Sequence, residues 1–171
     1  MPTFTMDGTT IFSKSGSDIT YANGTLGSGT IFPSGHVLQQ VRIVDATYQA
    51  DSTTSWNTVF TGIQITNVTS GSKVMIQACI AHLVEASGQG AFRIIKASDS
   101  TVLGHSQHTT AGNGTWRGIM PTIIVEDTSP SAGTNNYTLQ KRSSGPTIYY
   151  NYHQSTHEGT RSFYLLTEVT Q

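Results

Sequence analysis

Along most of this chain the apolar residues come in short runs cut by Gly, Pro, Asn, Asp and Ser. The runs cover residues 36–48, 58–68, 73–85, 91–97, 101–105, 115–126, 137–142, 147–152 and 162–169. Each is rich in Val, Ile, Thr, Tyr or Phe, which suit a pleated, half-buried surface. The residues between them supply the special backbone geometry of turns. Apolar positions nowhere recur at a helical period. The pattern therefore predicts an all-β domain over residues 35–171, an antiparallel sandwich or barrel closed around one core. No repeat of fixed period is present, which disfavours a propeller or solenoid.

Two runs carry further information. In the first, Val37, Gln39, Val41 and Ile43 share one face and Leu38, Gln40, Arg42 and Val44 the other, so one side is largely apolar and the other mixed. In residues 73–85 the even positions Val74, Ile76, Ala78, Ile80, His82 and Val84 are matched by a substantially apolar odd set. An antiparallel sheet with one wet face shows clean alternation, so a strand apolar on both sides is covered on both sides. The chain offers few spare elements to provide that cover. The odd set, Met75, Gln77, Cys79 and Leu83, is therefore a candidate subunit interface. Residues 119–125 and 162–169, with Phe163-Tyr164-Leu165-Leu166 continuous, follow the same logic.

Residues 1–34 have a different character. They are rich in Gly, Ser and Thr, with apolar residues only singly or in pairs: Phe4, Ile11, Phe12, Ile19, Tyr21, Leu26, then Ile31-Phe32. Such a segment cannot bury enough surface to fold alone. Its spaced anchors point to an extended arm that docks on another copy or on a larger assembly. Pro33 and Gly35 punctuate the passage into the domain.

Charge narrows the partners. Charged residues make up 11% of the 171 residues and the formal net charge is −1. The longest basic stretch, Lys141-Arg142, reads as a solvated strand end, so nucleic-acid binding by counterion release has no driver. A weakly charged surface favours self-association. No apolar stretch approaches the length that crosses a bilayer, and residues 1–8 lack the charged and apolar regions of a signal peptide. The single cysteine, Cys79, cannot form an intrachain disulfide and reads as a buried, inert thiol made in a reducing cytoplasm. The Asn-x-Ser/Thr sequences at Asn23, Asn67, Asn113 and Asn136 are expected by chance in a Thr-rich chain without a secretory signal.

Catalytic constellations are weak. There is no Gly-x-Ser-x-Gly elbow, no phosphate-cradling loop before a helix, and no clustered Cys/His/Asp/Glu of structural-zinc spacing. His105 and His108, and His153 and His157, sit at short spacings in segments that read as turns and loops. No metal or cofactor is expected, and no enzymatic activity. Aromatic residues are the better lead. Tyr149, Tyr150 and Tyr152 cluster with His153, while Trp56 and Trp116 flank turns. Such side chains pair an apolar face with a polar tip, which suits sugars and protein surfaces. Trp116, Tyr150, Tyr152 and His153 are the candidate surface-binding residues.

The order of several segments resembles the small β-rich domain that closes tail fibres and related virion structural proteins of bacteriophages. Residues 32–39, Phe-Pro-Ser-Gly-His-Val-Leu-Gln, resemble its first strand after a Pro-x-Gly turn. Residues 70–76 resemble its turn into a long apolar strand. Tyr137-Thr138-Leu139-Gln140 with residues 146–151 resembles its late hairpin, and residues 163–169 its closing strand with a hydrophobic–Glu–hydrophobic step. The resemblance covers roughly residues 32–171. It implies a jelly-roll-like β-sandwich, a homotrimer without enzymatic activity, and a place in the virion. Family fibres are often far longer, so a short knob attached through the arm is expected here. That knob would contact other virion proteins and a host-surface glycan or protein. Capsid decoration on the same scaffold, and a soluble glycan-binding module, are the alternative readings.

Overall fold

The computed structural model describes residues 3–6, 9–15, 18–21, 34–84, 88–110, 117–152 and 161–171. The first three stretches and residues 110, 117 and 119 are described as backbone only. Contacts divide the chain into two units, Met1–Pro33 and Ser34–Gln171. In the first unit β1 (Thr3–Met6), β2 (Thr9–Ser15) and β3 (Asp18–Tyr21) form an antiparallel sheet in that order. The segment read as an extended arm is thus, over its described residues, three short strands. In its register Phe4 lies opposite Phe12, and Phe12 opposite Tyr21. Leu26 lies outside the described residues.

The second unit is all-β among its described residues, with antiparallel pairing throughout, as the alternation predicts. Its strands are β4 (Val37–Asp45), β5 (Gln49–Asp51), β6 (Asn57–Val68), β7 (Lys73–Cys79), β8 (His82–Val84) and β9 (Gly88–Lys96). They continue with β10 (Val102–Thr110), β11 (Arg117–Ile119), β12 (Thr122–Asp127), β13 (Gly133–Ser143), β14 (Ile148–Tyr150) and β15 (Ser162–Val169). One sheet has the order β10-β9-β13-β6. Facing it, β12-β7-β15-β4 is continued strand for strand by β11-β8-β14-β5. Counting each continued pair as one gives eight strands in chain order. The facing layer then runs first, eighth, third, sixth, and the other sheet second, seventh, fourth, fifth. This is the double Greek-key order of a jelly roll.

The core forms because inward positions alternate with outward ones. Val74, Ile76 and Ala78 of β7, Ile123 and Val125 of β12, and Tyr164 and Leu166 of β15 meet Ile63, Ile65, Phe92, Ile94 and Leu139 from the opposite sheet. Phe60 stacks on Tyr164 with centroids 5.4 Å apart. The closing strand also turns its carboxylate inward. Glu168 accepts from Thr69 N at 2.7 Å and Gln39 Nε2 at 2.6 Å. Burial works to raise its pKa, and these hydrogen bonds outweigh burial and hold the carboxyl below its usual range.

All four strands of the facing layer break at one level, at residues 46–48, 80–81, 120–121 and after Tyr150. Isolated backbone bonds and side chains together replace the missing ladder there. Asn151 donates its N–H to Ala81 O at 2.9 Å, and Ala81 donates to Ser162 Oγ at 3.0 Å. Asn151 Oδ1 accepts from Ser162 N at 2.8 Å and Ser162 Oγ at 2.7 Å. Asn151 Nδ2 donates to Asp45 O at 2.9 Å. Asn151 has φ 48, a left-handed conformation that asparagine tolerates better than most residues. Below it, Tyr150 donates its hydroxyl to Asp45 Oδ2 at 2.5 Å and shares a 2.7 Å bond with the Tyr164 hydroxyl.

Two local expectations are corrected. The strand read over 101–105 runs on to Thr110, because it pairs with β9 through residue 110. Lys141 is not a solvated strand end. It sits opposite Phe92 on the inward face at 1% exposure, and its Nζ donates to Ile148 O at 3.1 Å.

Candidate functional site

The odd residues of β7 and β8 face outward, on the side of the layer away from the core. Cross-strand register arranges this face in rows. Thr122, Cys79, Phe163 and Val44 form one row, Ile124, Gln77, Leu165 and Arg42 the next, and Glu126, Met75, Thr167 and Gln40 a third. Ile124 is 66% exposed, and Met75 and Val44 are each 44% exposed. Gln77, Cys79, Leu83, Phe163 and Leu165 are half-buried within the protomer itself. The Arg42 guanidinium lies 5.9 Å over the Phe163 ring, and Lys73 pairs with Glu126 at 3.0 Å at the edge. The residues singled out from the sequence, Met75, Gln77, Cys79 and Leu83, thus share one outward face.

The same face continues past the break as an aromatic cluster. Tyr149, opposite Leu83 and Ala50, lies 6.5 Å from Tyr48 and 5.5 Å from Tyr152 between ring centroids. Tyr48 and Tyr152 are 6.4 Å apart, which closes the triangle. Tyr48 is half exposed and the other two rings are half-buried.

Of the candidate surface-binding residues, Tyr152 belongs to this cluster. Tyr150 does not. It is fully buried, because Ile148 and Tyr150 share the inward parity of β14, and its hydroxyl bonds to Asp45 and Tyr164. Burial, reinforced by the bond to Asp45, pushes its phenol pKa well up. The outward partner of Tyr152 is Tyr149, joined by Tyr48. Tyr48 was absorbed into the first long run, where nothing local relates it to residues about a hundred positions later. Trp116 and His153 lie outside the described residues, as does His157.

His105 and His108 do not form a pair. They lie on opposite faces of β10, His105 exposed and His108 turned inward. His108 instead meets His82 across the two sheets, Nε2 to Nε2 at 2.9 Å, with Phe92 edge-on to His82 at 4.9 Å between centroids. Burial first, then the neighbouring His108, holds the His82 pKa down to about 3. Burial lowers His108 as well. Gly90 makes room for this contact, since a Cβ there would stand 2.5 Å from His108 Nε2. Both Nδ1 atoms are buried and have no hydrogen-bond partner among the described residues. No group of three metal-ligating side chains occurs among the described residues.

No protein-family model and no curated protein matches the chain. Among solved structures it is similar to the C-terminal CBM6 of LamC, a marine laminarinase from Zobellia galactanivorans. The identity is 16% and the TM-score 0.32, over 75% of this chain and 99% of that one. It is also similar to a chain in the structure of infectious bursal disease virus, Gx strain, at 11% identity and a TM-score of 0.28. That likeness covers 99% of this chain and 50% of the viral one, so the chain spans half the length of that viral protein.

Proposed function

We propose that this chain is a non-enzymatic structural protein of a bacteriophage virion. It is a homotrimeric jelly roll that docks through residues 1–34 on other virion proteins and serves as a tail-fibre or knob component in host attachment. The observation that carries this reading is the set of apolar side chains on the outward face of the layer containing β7, interspersed with polar ones. Ile124, Met75 and Val44 stand exposed beside Phe163, Leu165 and Cys79. Water leaves such a face unfavourable, and the neighbouring copies around the three-fold axis of a trimer cover it. A net charge of −1 puts little electrostatic repulsion in the way. The serial order of segments 32–39, 70–76, 137–151 and 163–169, with its resemblance to phage virion domains, supports the virion as the place of assembly.

Light scattering on the purified full chain checks the oligomer. A trimer is expected, and Met75→Lys combined with Ile124→Lys converts it to a folded monomer. A wild-type monomer at micromolar concentration removes the reading. Removing residues 1–33 leaves the trimer intact yet excludes the protein from particles. Normal incorporation of the truncated chain overturns the docking role. Its position in an intact particle separates tail attachment from capsid decoration.

A further inference from the structure

The sheet β10-β9-β13-β6 turns a very different face to solvent. Arg93 of β9 and Arg142 of β13 both place their guanidinium groups over the Trp56 ring, 4.3 and 4.8 Å from its centroid. Arg93 Nε also donates to Gln140 Oε1 at 2.8 Å. The ion pairs among the described residues are Lys73–Glu126 and Lys96–Asp127, and neither involves these arginines. The acid next to this loop, Asp51, is occupied by Thr53 N at 2.8 Å and Asn57 Nδ2 at 2.6 Å. Two guanidinium groups thus share one indole, and among the described residues no carboxylate forms an ion pair with either of them. Stacking fixes the plane of a guanidinium and leaves its N–H edge for a planar anion.

Beside Arg142 lies a cleft of about 310 Å3. That volume is within the roughly 300–1,000 Å3 of small-molecule sites. Thr54, Gln89, Gln107, Arg142 and Ser144 contribute polar walls over Ala91. The walls are tied to one another. Gln107 Nε2 donates to Gln89 Oε1 at 3.2 Å, and Gln89 N donates to Ser144 Oγ at 2.8 Å. Ser144 N donates to Gln89 O, and Ser143 N to Thr53 O, both at 2.9 Å. Amide and hydroxyl groups at fixed positions match a ligand bearing many hydroxyls, and the arginines match one bearing negative charge.

We propose that this cleft binds an acidic saccharide. Its carboxylate or sulfate seats on Arg142, and its hydroxyls meet Thr54, Gln89, Gln107 and Ser144. A guanidinium fork makes paired, charge-assisted hydrogen bonds to either anion. Trp56 is the positioning residue that holds the fork. The cleft is on the opposite layer from the apolar face, and the assignment stands whether or not the virion reading holds.

The test is an NMR titration of the full chain with oligogalacturonate, a heparin-derived hexasaccharide, maltohexaose and inorganic sulfate. Both or one of the acidic oligosaccharides is expected to shift the backbone amides of Gln89, Ala91 and Ser144 and the Trp56 indole. Preference between the two distinguishes carboxylate from sulfate recognition. Arg142→Ala weakens binding by about tenfold or more with a native amide spectrum, while Arg142→Lys retains only part of the affinity. The proposal falls if neither acidic probe moves these resonances at millimolar concentration. It also falls if maltohexaose or sulfate alone binds as tightly, or if Arg142→Ala binds like the wild type.

Discussion

The two layers of the jelly roll are built from one chain with similar strand-forming residues, yet they differ in continuity and in what they show to solvent. In the sheet β10-β9-β13-β6 the strands run unbroken, twelve residues in β6 and eleven in β13, and the outside carries Arg93, Gln107, Gln140 and Arg142. In the facing layer all four strands break at one level, and the outside carries Ile124, Met75, Leu165 and Phe163. In the sheet of unbroken strands most inward side chains are apolar, with the buried Lys141 an exception whose Nζ donates to Ile148 O at 3.1 Å. Where a ladder breaks, buried N–H and C=O groups need side-chain partners. That is why Asn151, Ser162, Asp45 and the paired tyrosine hydroxyls lie inside the protein at the break. The interrupted layer therefore adds a few buried polar side chains to its backbone ladders, and it does so at the break.

The largest expected effect tests that contrast directly. Asn151→Ala removes the bonds to Asp45 O and Ser162 and leaves several buried polar groups unpaired, in a residue with φ 48. A loss of about 4 kcal/mol of unfolding free energy follows. Thr138→Ala, at a buried position of the sheet with unbroken strands, changes stability by less than about 1 kcal/mol. Urea unfolding of the two variants measures the difference, and comparable losses would dissolve the contrast.

Next in size is the response to acid, which concerns the contact between the layers. His82 of β8 meets His108 of β10, and the buried Lys141 of β13 faces the pair electrostatically. Burial and its neighbours hold His82 near 3, against 6.5 in an open chain. The native state keeps this imidazole neutral, while the unfolded chain takes up a proton below about 6.5. Stability is therefore complete above pH 6.5 and falls as pH drops toward 3, by about 2 kcal/mol at pH 5. The lowered His108 adds in the same direction. Comparison with His82→Gln isolates the histidine contribution in the window between pH 6.5 and 5. Urea midpoints across that window should decline in the wild type and flatten in His82→Gln. A wild-type midpoint that stays level would show that water reaches the pair.

Much of this architecture was legible in the sequence. Alternation located the strands, and the doubly apolar run 73–85 marked β7 and β8 as having an unusual outside. What stayed hidden depends on register between distant strands. Parity within 149–152 says that alternate tyrosines face inward, but not which ones; the pairing of Tyr150 with His82 and Gln49 decides it. Lys141 beside Arg142 reads as a wet strand end until Phe92 is found opposite it. Trp56 drew notice only as a residue near a turn, because Arg93 and Arg142 reach it through pairing of β9 with β13. Sequence distance conceals contacts of this kind more than chemistry does.

The smallest expected effect on the folded protomer is the one that best sharpens the comparison of the two outer faces. Met75 and Ile76 are neighbours on β7, one 44% exposed and one fully buried. Truncating Ile76 to Ala opens a cavity and costs roughly 2–5 kcal/mol at any protein concentration. Met75→Lys removes no core contact and exchanges an apolar surface group for a charged one. In dilute protein, where association is absent, it should shift unfolding by no more than about 0.5 kcal/mol. The wild type should gain stability as its concentration rises, because assembly is linked to folding, and the variant should not. If Met75→Lys is as damaging as Ile76→Ala in dilute protein, Met75 belongs to the protomer's own core and its face needs no partner. If both proteins ignore concentration, the apolar face of this layer is simply wet, and it differs from the polar face of the other sheet in composition alone.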